Sequence, residues 1–160
     1  MLRLPQLRFL LLAAPLIFIA HFSEEAPGFV AWFNAHVSRG ITAPLFWTVD
    51  YTALGLTVAV VIIEWLSRSA VSAALAIAWL SLLMLANALF HVVAAVVDRA
   101  YMPGLVTAIL LYLPFYALVV RTTLDQGRLP RGAVAAAALV GALPMLAHGY
   151  LIVFRGSRLF

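Results

Sequence analysis

Hydrophobic residues fill five long runs of the chain, and short polar segments separate these runs from one another. Each run is long enough, at about 20 residues, to cross the hydrocarbon core of a bilayer as a helix. The pattern predicts an all-α fold, a polytopic membrane helix bundle with five transmembrane helices in one integral membrane domain over residues 1–160. The predicted spans cover about 7–25, 42–66, 73–97, 103–121 and 132–154.

A shorter apolar segment follows the first run, after a turn formed by Ala26, Pro27 and Gly28. Its sequence, FVAWFNAHVSR over residues 29–39, places aromatic residues at helical spacing. This spacing is typical of a short helix that lies in the bilayer interface. We interpret His36 within this segment as a polar tip at the interface.

The composition agrees with a membrane protein, because 66% of the residues are hydrophobic and only 10% are charged. Soluble domains are about 45–50% apolar and about 25% charged. All ten basic residues are arginines scattered singly along the chain, so the expected partner is the lipid bilayer and not nucleic acid. Because the chain has no cysteine, any metal ligand or nucleophile must be an oxygen or nitrogen atom. Nothing in the pattern indicates an oligomeric state.

The arginines also predict an orientation, because cytoplasmic loops carry an excess of positive charge. Six arginines fall on the N-terminal side of the predicted bundle and four on the other side. The N-terminus is therefore expected in the cytoplasm. The first set is Arg3, Arg8, Arg68, Arg121, Arg128 and Arg131, and the second is Arg39, Arg99, Arg155 and Arg158.

Several polar side chains fall inside the predicted spans, where an ionisable group costs about 2.5–3.5 kcal/mol at a helix centre. At a rise of about 1.5 Å per residue, five of them lie at one depth, in the half of the bilayer remote from the N-terminus. Four of the five helices contribute to this level. Its residues are His21, Asp50, Asn87, His91 and His148.

The end of the first span adds two adjacent carboxylates, Glu24 and Glu25, which share a helix face with His21 at spacings of three and four residues. The helix dipole is already negative there, so this pair would benefit from a cation. In the absence of cysteine, imidazole and carboxylate groups are the ligands expected for zinc, iron or manganese. Alternatively, one glutamate stays protonated and acts as a general acid or proton carrier.

Structural explanations compete with a functional one for most of these residues. The two glutamates would be solvated at the membrane interface. Asn87 would form a hydrogen bond between helices, and His148 would bond to a backbone carbonyl freed near Pro144. Glu64 precedes Arg68 by four residues, which predicts a snorkelling ion pair. Membrane tyrosines such as Tyr112 and Tyr116 generally anchor or pack. Asp50 is the strongest anomaly, because an unpaired carboxylate at that depth needs a histidine, an arginine or a metal.

Three short strings occur in order along the chain: HxxEE at residues 21–25, NxxxH at 87–91 and YxPG at 101–104. Together they resemble the HXXEE-domain family of integral membrane proteins, from the first through the fourth span. The resemblance implies a shared site without naming a reaction, and Asp50 and His148 are not among its motif positions. The positions that it implies are His21, Glu24, Glu25, Asn87, His91, Tyr101, Pro103 and Gly104.

The favoured functional hypothesis is a metal-dependent, hydrolase-like membrane enzyme that acts on a lipid or another apolar small molecule. Its divalent metal is expected to be zinc, with iron or manganese as alternatives, and hydrolysis would need no further cofactor. The expected catalytic residues are Glu24 as general base or additional ligand, Asn87 as an orienting group, and Asp50. The expected metal ligands are His21, Glu25, His91 and His148.

Two other classes of function use the same residues. In a proton- or ion-coupled transporter they would form a relay, although such a pathway predicts polar groups across the whole membrane and the sequence places most of them on one side. In a structural protein they would form a hydrogen-bond network that holds the helices together.

Overall fold

The computed structural model describes residues 5–156, and its regular elements over that range are all helical. Five helices are long and apolar enough to cross a membrane, which confirms the predicted all-α bundle and fits a multi-pass membrane protein. Arg3 and Arg158, which contributed to the predicted orientation, lie outside the described residues, and the orientation stays a prediction. Spans 1 to 5 are Leu7–Glu25, Ala43–Ser67, Ala70–Asp98, Leu105–Asp125 and Arg131–Arg155.

Three of the spans depart from a uniform α-helix. Span 1 consists of the helices Leu7–Leu11 and Ala14–Glu25. Span 3 consists of Ala70–Leu80, a π-helical segment Ser81–Ala86, and Asn87–Asp98. Span 4 consists of Leu105–Thr107, a π-helical segment Ala108–Tyr112, and Leu113–Asp125. Such π-helical turns are rare and frequently lie at functional sites.

Local sequence explains where the spans begin. The Thr42 hydroxyl accepts a hydrogen bond from the Leu45 amide at the start of span 2, and Ser69 and Ser72 form a capping box at the start of span 3. Span 4 begins at Leu105 and not at Pro103 as predicted, because Pro103 and Gly104 form a turn and Gly104 has a positive φ of 94°. Gly104 has no side chain with which to cap the helix that follows it.

The short helix after span 1 runs over Phe29–His36 and is fixed to the end of span 3. Asp98 accepts hydrogen bonds from Trp32 Nε1 at 2.7 Å and from His36 Nε2 at 3.0 Å. The other ring nitrogen of His36 lies 2.8 Å from the Trp32 carbonyl oxygen, and the two rings stack. His36 is therefore part of a clamp and more than a polar tip at the interface.

This clamp is expected to weaken as the pH rises. Partial burial disfavours the charged imidazole, but its hydrogen bonds to Trp32 and Asp98 and the charge of Asp98 outweigh burial and raise the pKa of His36 above 6.5. The stabilisation is therefore complete below pH 6.5 and is lost as the pH rises through the raised pKa. Hydrogen-exchange protection of residues 29–36, corrected for intrinsic rates, should fall over that range. The same profile in His36→Gln would contradict the assignment.

Span 5 packs closely against span 3. A side chain at Gly141 would overlap the backbone carbonyl of Ala78, so the glycine permits a helix contact that any other residue would prevent. Near the other end of span 5, Gly149 lies directly against the ring of Phe90. Small residues thus bring the fifth span close to the span that carries His91.

A buried network joins three segments at the end of the bundle where span 1 begins. The Arg128 guanidinium donates to both carboxylate oxygens of Glu64, at 2.6 and 3.1 Å, and to the Ser69 carbonyl at 2.9 Å. Ser72 donates its hydroxyl proton to the same carboxylate. The predicted pair between Glu64 and Arg68 is therefore wrong: Arg68 adopts a left-handed backbone conformation that ends span 2, and Glu64 pairs with Arg128 instead.

Candidate metal centre

Three buried side chains converge at the opposite end of the bundle, where span 1 ends. His21 and Glu25 lie four residues apart on the inner face of span 1, and His91 approaches them from span 3. Glu25 Oε1 is 3.1 Å from His91 Nε2 and 3.5 Å from His21 Nε2. One ligand atom from each residue lies within 4.8 Å of the other two. We call these three residues the His–Glu cluster.

The His–Glu cluster has the geometry to hold a metal ion. Tetrahedral bonds of about 2.0–2.2 Å place neighbouring ligand atoms about 3.3–3.6 Å apart, close to the separations at Glu25 Oε1. Each Nε2 atom faces Glu25 Oε1 at ion-pair distance without meeting the geometry of a hydrogen bond within the described residues, so the three ligand atoms point into one buried space. Two imidazoles and one carboxylate form a ligand set of catalytic zinc sites and of non-haem iron sites. Such sites leave at least one coordination position open.

A neighbouring threonine fixes the orientation of His21. Thr107 Oγ1 lies 2.8 Å from His21 Nδ1 and donates its own proton to the Gly104 carbonyl at 3.2 Å. Because that proton is used, the hydroxyl accepts from His21 Nδ1–H. The lone pair of this imidazole then lies on Nε2, the atom that faces Glu25, which is the tautomer that metal binding requires.

Gly104 closes one side of the His–Glu cluster with its backbone. A β-carbon at this position would lie 2.5 Å from His91 Cε1, 2.9 Å from Glu25 Cγ and 3.0 Å from His21 Cε1. A glycine is therefore required here for space as well as for its positive φ. The preceding Pro103 packs against Gly28 of the turn after span 1, which holds the two turns together.

Glu24 faces away from the cluster and caps span 4. Its carboxylate accepts hydrogen bonds from the Tyr101 hydroxyl at 2.6 Å, the Val106 amide at 3.0 Å and the Thr107 amide at 2.7 Å. Those amides belong to the first turn of span 4, where a capping side chain normally binds, and Gly104 has none to offer. Both carboxylate oxygens of Glu24 are thus engaged at the start of span 4, which they position, and the role as general base stays a prediction.

Tyr101 lies outside the spans and donates its proton to this cap. Partial burial, together with the hydrogen bond to Glu24 and the charge of that carboxylate, raises the pKa of Tyr101 to about 12. Its hydroxyl therefore remains a donor throughout the physiological range. The tyrosine of the YxPG string serves to hold the turn that covers the cluster.

Asp50 approaches the cluster from span 2. It is buried, it interacts electrostatically with Glu25, and no described residue forms a hydrogen bond with its Oδ2 atom. Tyr112 approaches from span 4, with its ring centroid 4.1 Å from that of His21. The structure thus brings side chains of spans 1, 3 and 4 into contact at one site, and Asp50 of span 2 lies within electrostatic range of Glu25.

The other two expected site residues lie differently. Asn87 lies one turn before His91, directly after the π-helical segment of span 3, and its buried Oδ1 atom has no hydrogen-bond partner among residues 5–156. His148 stacks on Phe33, and the ring contacts run from there to Phe29 and then to His91. The ligand group found among the described residues contains His21, Glu25 and His91 but not His148.

Sequence reasoning missed Thr107 and Tyr112 at this site. Thr107 carries no motif, but its place three residues after Gly104, in the first turn of span 4, indicates proximity to the covering turn. Tyr112 was interpreted as a packing residue, the default for membrane tyrosines. The sequence signal that could have singled out Tyr112 is Pro114, because a proline disrupts the preceding turn of a helix. Tyr112 is the last residue of the π-helical segment just before Pro114.

The chain matches the sequence model of a family described as "Protein of unknown function with HXXEE motif" over residues 12–119. It belongs to the HXXEE family. Comparisons with curated proteins and with solved structures found no match.

The structure gives each HXXEE string a physical role. In the HxxEE string, His21 and Glu25 enter the His–Glu cluster and Glu24 caps span 4. The NxxxH string supplies His91, and the YxPG string supplies the turn whose glycine contacts all three cluster residues. The match spans these strings but not span 5, so His148 lies beyond the matched residues.

Proposed function

We propose that this HXXEE protein is a metal-dependent membrane enzyme that hydrolyses a lipid or another apolar acyl compound, with the metal bound by His21, Glu25 and His91. The observation that supports this proposal is the convergence of three buried ligand atoms from two spans within 4.8 Å. Zinc is the favoured ion, and iron suits the same donors. A bound divalent ion would supply Lewis-acid polarisation of an oxygen atom.

Asp50 takes the role of proton acceptor. Its carboxylate oxygen is buried, has no hydrogen-bond partner among residues 5–156, and lies within electrostatic range of Glu25. In hydrolysis, the oxygen of water forms a bond to the acyl carbon, one proton of that water passes to Asp50, and the proton then returns to the leaving group as its bond breaks. Asn87 would orient the substrate through its amide.

An apolar substrate is favoured by the surroundings of the cluster. The ring of Phe29 lies 6.3 Å from that of His91. Phe22 of span 1 packs against Trp47 of span 2. Large hydrophobic side chains also cover the outward faces of the spans, where a bilayer would surround them. These apolar and aromatic surroundings favour an apolar molecule at the site.

Metal analysis of the purified protein tests the proposed centre. The wild-type protein in detergent, exposed to zinc, iron and manganese, should retain about one ion per chain by mass spectrometry of its metal content. Glu25→Gln and His91→Ala should lose it. The control is Asp125→Asn, which removes an exposed carboxylate paired with Arg121 at the other end of span 4 and should keep the ion.

Two results would contradict the proposal. The first is a wild-type protein without stoichiometric metal, or one whose metal content does not depend on Glu25. The second concerns catalysis: cleavage of a micellar acyl ester should be inhibited by a chelator and abolished in Asp50→Asn at unchanged metal content. Hydrolysis that persists both with the chelator and in Asp50→Asn would contradict the proposed catalysis, although the metal site itself would still stand.

A further inference from the structure

Tyr112 is buried without a satisfied hydroxyl group. Its relative exposure is 0%, and no described residue forms a hydrogen bond with its OH. An unsatisfied buried polar group is costly, so natural structures seldom keep one without a use. Tyr116, one turn further along span 4, shows the usual arrangement: its hydroxyl is 2.6 Å from that of Ser81.

The position of Tyr112 connects this hydroxyl with the His–Glu cluster. Its ring lies against His21 at 4.1 Å between centroids, and it is close enough to Glu25 and Asp50 for electrostatic interaction. It is also the last residue of the π-helical segment Ala108–Tyr112. A wide helical turn changes the direction in which the following side chains point, and here it coincides with the buried tyrosine.

We infer that Tyr112 is a ligand-binding residue whose hydroxyl donates a hydrogen bond to the carbonyl oxygen of an amide, ester or carboxylic compound held at the His–Glu cluster. This inference rests on the proposed metal site and names the class of molecule that the site takes. No described residue accepts a hydrogen bond from the Tyr112 hydroxyl, so the acceptor has to come from the bound molecule. A ligand that faces both a cation and a phenol hydroxyl must itself present an acceptor oxygen.

Asp50 adds a second requirement for the same ligand. Its Oδ2 atom is buried without a hydrogen-bond partner among the described residues, and a carboxylate oxygen accepts hydrogen bonds when ionised. An amide or a carboxylic acid, which has an acceptor oxygen beside an N–H or O–H donor, satisfies Tyr112 and Asp50 together, whereas an ester satisfies Tyr112 alone. A hydroxamate has this pattern and also binds divalent metals, so acetohydroxamate is the appropriate probe.

The test uses cobalt-loaded protein in detergent, because Co²⁺ takes the same kinds of ligand and its visible spectrum reports a change of coordination. Acetohydroxamate should change the spectrum of the wild-type protein. Tyr112→Phe should bind cobalt normally, because the ring against His21 is kept, but should bind acetohydroxamate about tenfold to a hundredfold more weakly. Tyr116→Phe is the matched control and should keep the wild-type affinity for acetohydroxamate.

The thermal stability of the metal-free proteins distinguishes a ligand-binding tyrosine from one that only stabilises the fold. Tyr112→Phe removes an unsatisfied hydroxyl and should be at least as stable as the wild type, whereas Tyr116→Phe breaks a bond to Ser81 and should be less stable. The inference is overturned if acetohydroxamate leaves the spectrum of the cobalt-loaded wild type unchanged, or if Tyr112→Phe binds acetohydroxamate with the wild-type affinity. In either case the metal site stands. A wild-type protein that binds no cobalt overturns the proposed metal site itself.

Discussion

Replacement of Gly104 by alanine should disrupt metal binding without any change to a ligand. The new β-carbon would lie within 3.0 Å of side-chain atoms of His21, Glu25 and His91, so all three must move. Overpacking and a non-glycine residue at positive φ each cost about 1–3 kcal/mol. Because disturbed partners of metal ligands already reduce affinity about 10–100-fold, we expect a loss of about 100-fold or more. A competition titration with a chromophoric zinc chelator would measure it.

Gly127→Ala is the matched control for this substitution. Gly127 also has a positive φ, of 62°, but a β-carbon there meets nothing within 4 Å. Its replacement adds backbone strain without contact with the His–Glu cluster, so stability should fall and metal affinity should not. Equal metal affinities in Gly104→Ala and wild type would show that the covering turn does not shape the site.

The five spans and the pair His21 and Glu25 are the parts that the sequence pattern predicts well. Spans follow from runs of hydrophobic residues, and a spacing of four residues places two side chains on one face whatever the rest of the fold does. The depth of His91 in the bundle can also be predicted from the sequence, because the rise per residue of a helix is constant. These quantities depend only on local geometry.

The parts that sequence reasoning missed depend on rotation about helix axes and on long-range pairing. Depth alone predicts His148 beside the cluster, whereas the structure shows its ring stacked on that of Phe33. Glu24 and Glu25 differ by about 100° around the helix, so only one of them faces the cluster while the other meets the start of span 4. No local rule identifies the amides that a carboxylate will cap 82 or 83 residues away.

The same limitation explains the wrong partner assigned to Glu64. The local expectation for Glu64 is a pair with the arginine four residues later. Arg68 instead ends the helix in a left-handed conformation, and Glu64 pairs with Arg128 in the connection between spans 4 and 5. A buried carboxylate needs a counter-charge and hydrogen bonds to its oxygen atoms. Arg128 brings two to the carboxylate and a third to the Ser69 carbonyl.

Removing either partner of this pair should produce the largest loss of stability outside the His–Glu cluster. Glu64 is fully buried, so within the described residues Arg128→Gln leaves its carboxylate with the hydrogen bond from Ser72 and no counter-charge. Breaking a buried pair in this way costs about 3–5 kcal/mol. Glu64→Gln should also be strongly destabilising, because it leaves the guanidinium unpaired. Unfolding by denaturing detergent, followed by circular dichroism, would measure both losses.

The double variant Glu64→Gln/Arg128→Gln distinguishes the pair from a general effect of substitution. Because the two residues contact each other, their effects should not add, and the double variant should be more stable than the sum of the single losses predicts. Arg121→Gln provides the control, since its 3.5 Å pair with Asp125 is exposed and should change stability by less than about 1 kcal/mol. Additive losses at Glu64 and Arg128, or single variants as stable as Arg121→Gln, would show that the network does not join spans 2 and 3 to the connection between spans 4 and 5.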